Sequence, residues 1–292
     1  MESLSYMRIE DRLEGESGLK GADAIDLFPL LGIWVNTNNE TRGIAKVLIG
    51  TKNGDLTVQV FGAAFPGLSD WGEVKAETVY ANSVRSREAM SFSALYDFGY
   101  MQVYLQANLS LGLLVVAGLN TFKDESGRSN YFSREFFYHA GQGTEHEFVR
   151  EPSRQVSQKF RRDEEDVEVE VEKQAAAIDA SPFLGKWITT NRATRGIVGI
   201  DVTDRDGEPG VQAFGACLPS PCDWRVTGAS LFSEGPASRK GLAISARYDF
   251  GFMQTHLQAK VKKGVLVVAV FNRFNDGSPR SNYFSREFFY RI

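Results

Sequence analysis

Eleven residues of this chain are written twice: Arg128 to Tyr138 reads RSNYFSREFFY, and Arg280 to Tyr290 reads the same string. The register extends far upstream. Trp34 pairs with Trp187, Arg42 with Arg195, Val58 with Val211 and Trp71 with Trp224, each 153 positions on (187 − 34 = 153). After a one-residue deletion, Tyr96 pairs with Tyr248 and Arg134 with Arg286, 152 positions on. Solenoid repeats run about 20–50 residues, so a period this long is a whole domain in tandem. The 292 residues suffice for two such domains, each long enough to bury a core. The chain divides into an N-terminal arm (1–26), expected to be mobile, a first copy (27–138), a charged linker (139–180) and a second copy (181–292).

Within each copy, short runs rich in Val, Ile, Phe, Tyr and Thr are separated by Gly, Asn, Asp and Ser. These are strand and turn signals. In the fifth run Met90, Phe92, Ala94, Tyr96 and Phe98 share one face, matched by Leu242, Ile244, Ala246, Tyr248 and Phe250. Ser91, Ser93 and Asp97 take the other face. No helical stripe intervenes, so consecutive strands must be antiparallel. The expected fold is all-β: two tandem eight-stranded antiparallel up-and-down barrels, closed so that no edge is exposed.

Leu31-Gly32-Ile33-Trp34 and Leu184-Gly185-Lys186-Trp187 resemble the Gly-x-Trp opening of calycin barrels, the lipocalin and avidin group. In that group the tryptophan closes the barrel floor and an Arg or Lys near the end of the last strand packs across it. The resemblance gives that role to Arg134 and Arg286. It implies a fold and not biotin, because the biotin-site pattern is not reproduced.

An up-and-down barrel of this kind has connections 1–2, 3–4, 5–6 and 7–8 at its mouth. The two copies agree there and differ at the floor. Matching loops are a stronger hint of function than a matching core. The candidate ligand-binding residues are Asn36, Asn38, Arg42, Trp71, Tyr96, Gln102, Tyr104, Asn120, Asn130 and Tyr131 in the first copy. In the second they are Thr189, Asn191, Arg195, Trp224, Tyr248, Gln254, His256, Asn272, Asn282 and Tyr283. Aromatic walls around a few fixed polar groups suit a small, largely apolar molecule. The same conserved mouths would equally follow from one shared packing scheme, with Arg42 and Asp97 as a rim ion pair.

Catalysis has few candidates. There is no Gly-x-Ser-x-Gly and no histidine or cysteine common to both copies. His256, where the first copy has Tyr104, is a candidate general base, and Asp249 a candidate carboxylate. Three readings stand: a small-molecule binder, an enclosure enzyme such as a cyclase, isomerase or pericyclase, and an interaction protein with filled barrels. A net charge of −4 argues against nucleic acid as a partner. No apolar run reaches the roughly 20 residues of a membrane span, and the N-terminus lacks a secretory pattern. The expected compartment is the cytoplasm, with Cys217 and Cys222 as free thiols. No cofactor or metal is expected, and a homo-oligomer is compatible with the sequence. The linker's charge run, Arg161 to Asp166, reads as a solvated tether, with a docking segment as the alternative.

Overall fold

The computed structural model describes residues 5–12, 24–141 and 177–292. The first half carries β1 (Gly32–Asn36), β2 (Ile44–Lys52), β3 (Asp55–Ala63), β4 (Leu68–Lys75), β5 (Thr78–Tyr80), β6 (Ser91–Asp97), β7 (Met101–Ser110), β8 (Leu113–Phe122) and β9 (Tyr131–Gly141). The second half carries β10 (Gly185–Thr189), β11 (Ile197–Arg205), β12 (Glu208–Gly215), β13 (Cys222–Ser233), β14 (Gly241–Asp249), β15 (Met253–Lys262), β16 (Val265–Phe274) and β17 (Tyr283–Arg291). The linker's charge run lies outside the described residues.

From β10 to β17 each strand pairs antiparallel with the next, and β17 returns to β10. That is a closed eight-stranded antiparallel barrel. In the first half β1 to β4 pair in order, β5 to β9 pair in order, and β9 returns to β1. β4 and β5 stand where the second half has the single strand β13. Between them Ala76 N–H donates to Leu56 O (2.9 Å) and Glu77 N–H to Ser93 O (2.8 Å). The ladder registers Lys75↔Thr57 and Thr78↔Ser93, against Gly228↔Gly210 and Ser230↔Ser245, put the first half's extra residue at Ala76-Glu77.

The hairpins explain how the floor tolerates divergence. Asn53-Gly54 and Asp206-Gly207 both have positive φ at the two central positions, as do Leu111-Gly112 and Lys263-Gly264. A two-residue turn of this type needs the left-handed region twice and matches the twist of its strands. Glycine at the second position is kept while the rest of each turn changes.

Strand alternation sets the cores. Phe92, Ala94 and Tyr96 face the apolar interior of the first half, and Ile244, Ala246 and Tyr248 that of the second, whereas Met90 and Leu242, expected on the same faces, pack in the clusters between the halves. The interior of the β10–β17 barrel retains a cavity of about 10 Å³, lined by Ile200, Val211, Leu257 and Val268 among others. That is the space of about one water.

The opposite strand faces are buried too. Ser91, Ser93 and Ala243 are 0 % exposed, because the two halves pack on each other. The contacts are reciprocal. Ala81 bridges to Tyr283, and Ser233 to Tyr131. Arg87 donates to Ser281 Oγ and Pro279 O, while Arg239 donates to Ser129 Oγ and Gly127 O. Tyr80 packs with Phe271 and Phe284, and Phe232 with Leu119 and Phe132. Equivalent residues exchange roles, so the halves are related by an approximate two-fold axis through this seam.

Two expectations need correction. Trp34 and Trp187 are buried, and their indole N–H groups donate to Leu30 O (2.9 Å) and Phe183 O (2.7 Å). However, the group crossing Trp187 is Arg291, 4.5 Å from the ring, and His139 meets Trp34 edge-on at 4.8 Å. Arg286 and Arg134 point away into the seam, because alternation puts Glu287, Phe289 and Arg291 inside and Arg286 outside. Arg291→Ala should therefore cost about 0.5–1 kcal/mol, the worth of an exposed cation–π contact. Arg286→Ala should leave the near-ultraviolet signal of Trp187 unchanged. Cys217 and Cys222, expected as free thiols, form a disulfide across the β12–β13 connection. The first half has Ala64 and Ser69 there. Among the described residues no helix is long and apolar enough to cross a membrane.

Candidate functional site

The mouth of the β10–β17 barrel is covered by an N-terminal segment of the chain. Residues 5–12, expected as part of a mobile arm, lie across it. Ile9 N–H donates to Ala216 O (2.8 Å) and Glu10 N–H to Arg195 O (3.1 Å). Trp224 donates its indole N–H to Met7 O (3.3 Å), and Arg280 donates to Ser5 O and Asp11 O. Arg8, 0 % exposed, donates to Asp11 (2.9 Å) and Asn272 Oδ1 (2.6 Å) and lies over the rings of Trp224 and Tyr283. Tyr283 OH donates to Asp11 Oδ1 (2.5 Å). Burial opposes the Arg8 charge, but Asp11, Tyr283 and Glu10 outweigh it and raise its pKa. Burial raises Glu10 and Tyr283. Glu287, whose Oε1 is buried without a partner, is pushed up to about 8 by burial and by Glu10.

The structure thus gathers Arg195, Trp224, Asn272 and Tyr283, but around an arginine-bearing peptide segment. Tyr248 is spent inside the barrel, its OH donating to Val211 O (2.7 Å), as Tyr96 OH does to Val58 O (2.8 Å). Burial raises both phenols. Asn130 and Asn282 accept the N–H groups of Phe122 and Phe274 and brace the last mouth loops. Thr189 accepts Asn191 N–H, Asn38 accepts Glu40 N–H, and Asn191 accepts Ala193 N–H: these are loop-shaping bonds. Asn36 donates to Ile44 O and Glu135 Oε1. Arg42 is exposed. The rim ion pair is between Asp97 and Lys123 (2.9 Å), not Arg42.

At the matching end of the first half, Trp71, Asn120, Tyr131 and Arg128 repeat the residues that hold the arm. Trp71 and Tyr131 are half-buried where Trp224 and Tyr283 are buried. Among the described residues, the Trp71 indole N–H and the Tyr131 hydroxyl have no hydrogen-bond partner.

Three further candidates meet elsewhere. Gln102, Tyr104 and His256 line a cleft of about 490 Å³ in the seam, with Glu77, Leu119, Phe232, Ser245 and Arg247 among its walls. It straddles the two-fold axis, since Tyr104 and His256 occupy equivalent positions, as do Leu95 and Arg247. Each pair differs chemically. Glu77, at the first half's extra position, has no counterpart. The Arg247 guanidinium lies 5.0 Å over the Tyr104 ring, and the Tyr104 and His256 rings are 5.5 Å apart.

His256 is committed on both nitrogens. Gln106 Nε2 lies 2.9 Å from Nδ1 and Ser245 Oγ 2.6 Å from Nε2. An amide nitrogen can only donate, so Nδ1 accepts and the ring proton sits on Nε2, donated to Ser245. Burial and Arg247 pull His256 down to about 3, so the ring is neutral. Asp249 and Gln254 lie apart, on an exposed turn where Asp249 accepts from Gln254 and Gly251 N–H. Among the described residues no group of His, Cys, Asp or Glu could hold a metal ion.

No protein-family model and no curated protein matches the chain.

Proposed function

We propose that the chain is a duplicated calycin-like protein, with a second barrel formed by β1 to β9, and that it binds a small molecule in the seam cleft. The observation that carries this reading is asymmetry on the axis. The seam contacts and mouths repeat between the halves, yet the cleft walls do not: Leu95 stands where the other half has Arg247, Tyr104 where it has His256, and the one inserted residue adds Glu77. Equivalent residues meet at a two-fold axis, so copies that differ there can present an asymmetric ligand with two different walls. The volume falls in the usual range for small-molecule sites. Leu95, Leu119 and Phe232 offer an apolar floor, Arg247 offers a cation for the ligand's anionic group, and Glu77 a carboxylate for a neutral donor elsewhere on it. The ligand is accordingly a small molecule with an apolar body and an anionic group, more polar than the sequence implied.

Binding is favoured over turnover because His256 already spends both nitrogens on protein partners. Native mass spectrometry of protein purified from its own host should show a co-purified molecule. An anilinonaphthalene sulfonate, which joins a planar apolar body to an anion, serves as a probe. Arg247→Leu, which copies Leu95, should weaken it roughly tenfold to a hundredfold, the worth of a charge-assisted hydrogen bond. Equal binding by the variant would remove the cleft from consideration.

A further inference from the structure

A second cavity, of about 30 Å³, lies on the same seam beside the cleft. Its polar wall is Arg134, Arg286, Lys260, Gln106, Gln258 and Asn108, and no carboxylate lines it. Arg134 and Arg286 are equivalent residues, on β9 and β17, brought together by the axis. Three half-buried cations thus share one space without an acid. Arg286 has a neutral partner, donating to Asn108 Oδ1 (2.9 Å). Burial lowers Arg134, and burial together with Arg134 lowers Arg286. Burial also lowers Lys260, with Arg134 and Lys262 adding to it. Each cation lies over an aromatic ring, Arg134 over Phe136, Lys260 over Phe132 and Arg286 over Phe284, but no carboxylate lines the cavity to pair with them.

A second observation points the same way. Gln258 is 8 % exposed, and its amide Nε2, a donor only, is buried without a partner. Gln106 Oε1, also buried without a partner, is an acceptor and takes no part in holding an anion.

We infer that this cavity is a binding site for a small oxyanion such as phosphate or sulfate, clamped between Arg134 and Arg286 with Lys260 and Gln258 as further donors. Planar guanidinium forks match such oxyanions with paired N–H donors. An anion there would join the two halves through equivalent residues, so occupancy should report on their packing.

The experiment is thermal unfolding of the full chain in chloride alone and in inorganic phosphate or sulfate at constant ionic strength. Phosphate should raise the melting temperature along a saturating curve, as for any ligand of the native state. Arg286→Gln and Arg134→Gln should each weaken phosphate roughly tenfold or more. In phosphate-free chloride the same variants should melt at or above the wild type, because each removes one of two repelling cations. Arg286→Lys should fold equally well and bind phosphate more weakly than wild type. A melting temperature indifferent to both oxyanions overturns the site. So does an Arg286→Gln variant that is destabilised equally with and without phosphate, which would mark the arginines as structural only.

Discussion

Replacing Arg8 by alanine is expected to strip the second barrel of its arm. Arg8 is the cation of a buried group that holds Asp11, also 0 % exposed, and Glu10, beside Glu287. Removing one member of a buried ion pair costs about 3–5 kcal/mol, because the other is left without compensation. A segment held by a few backbone bonds has an escape: it can undock and return its acids to water. Arg8→Ala should therefore behave like deletion of residues 1–12. The two should share one lowered melting temperature and one red-shifted Trp224 emission, since Trp224 loses Met7 O as acceptor. If Arg8→Ala melts far below the deletion, the acids stay buried and the arm is held by something else. Alkali should act on the same contact. Glu287 is pushed up to about 8 from its ordinary 4.5, and Glu10 is raised too. Between those values the docked state binds more protons than the released one, so docking weakens as pH rises toward 8. Glu287→Gln should reduce that slope.

The arm shows what the sequence held and what was passed over. Met7-Arg8-Ile9-Glu10-Asp11 has no strand or helix period, so it reads as polar tail. Yet Phe160-Arg161-Arg162-Asp163-Glu164 stands 153 positions on, in the register of the two copies, outside the described residues. An apolar residue, an arginine and two acids at that spacing was the available signal. Strand order and core faces were legible because alternation is a local property of each strand. The floor tryptophans were legible too, but their partners were not, because Arg286 and Arg291 differ in face and only a fixed register separates them.

The seam was the least legible feature. Ser91 and Ser93 look like a solvent face, and only the packing of the second half buries them. Agreement between copies finds what each half needs alone, namely its core and its loops. It does not show which equivalent residues meet on the axis, because that depends on how the halves pack. Tyr104 against His256 was visible as an asymmetry, but nothing local said that the two rings face each other at 5.5 Å.

That histidine carries the last large effect. Acid is expected to destabilise the protein through His256 well before carboxylates with lowered values, such as Asp97 and Asp249, begin to protonate. The ring is 8 % exposed, and burial followed by Arg247 pulls it from 6.5 to about 3. The unfolded chain takes up a proton near 6.5 and the native chain does not until about 3, so stability falls as pH drops through that window and is untouched above it. At about 1.4 kcal/mol per unit, the whole gap is on the order of 5 kcal/mol. Glu287 and Glu10 pull the other way, since acid favours their protonated, buried forms, so the wild-type slope alone is not diagnostic. The pH dependence of the difference between wild type and His256→Tyr is, because the variant's lost bonds to Gln106 and Ser245 shift stability at every pH while only the wild type carries the titrating ring. Urea midpoints at pH 7.5, 5.5 and 4.5 should show the wild type falling relative to the variant as pH drops, because only the wild type takes up this proton on unfolding. A variant with the wild-type slope would mean that the ring can charge in place, which would reopen Ser245 and His256 as a proton-transfer pair.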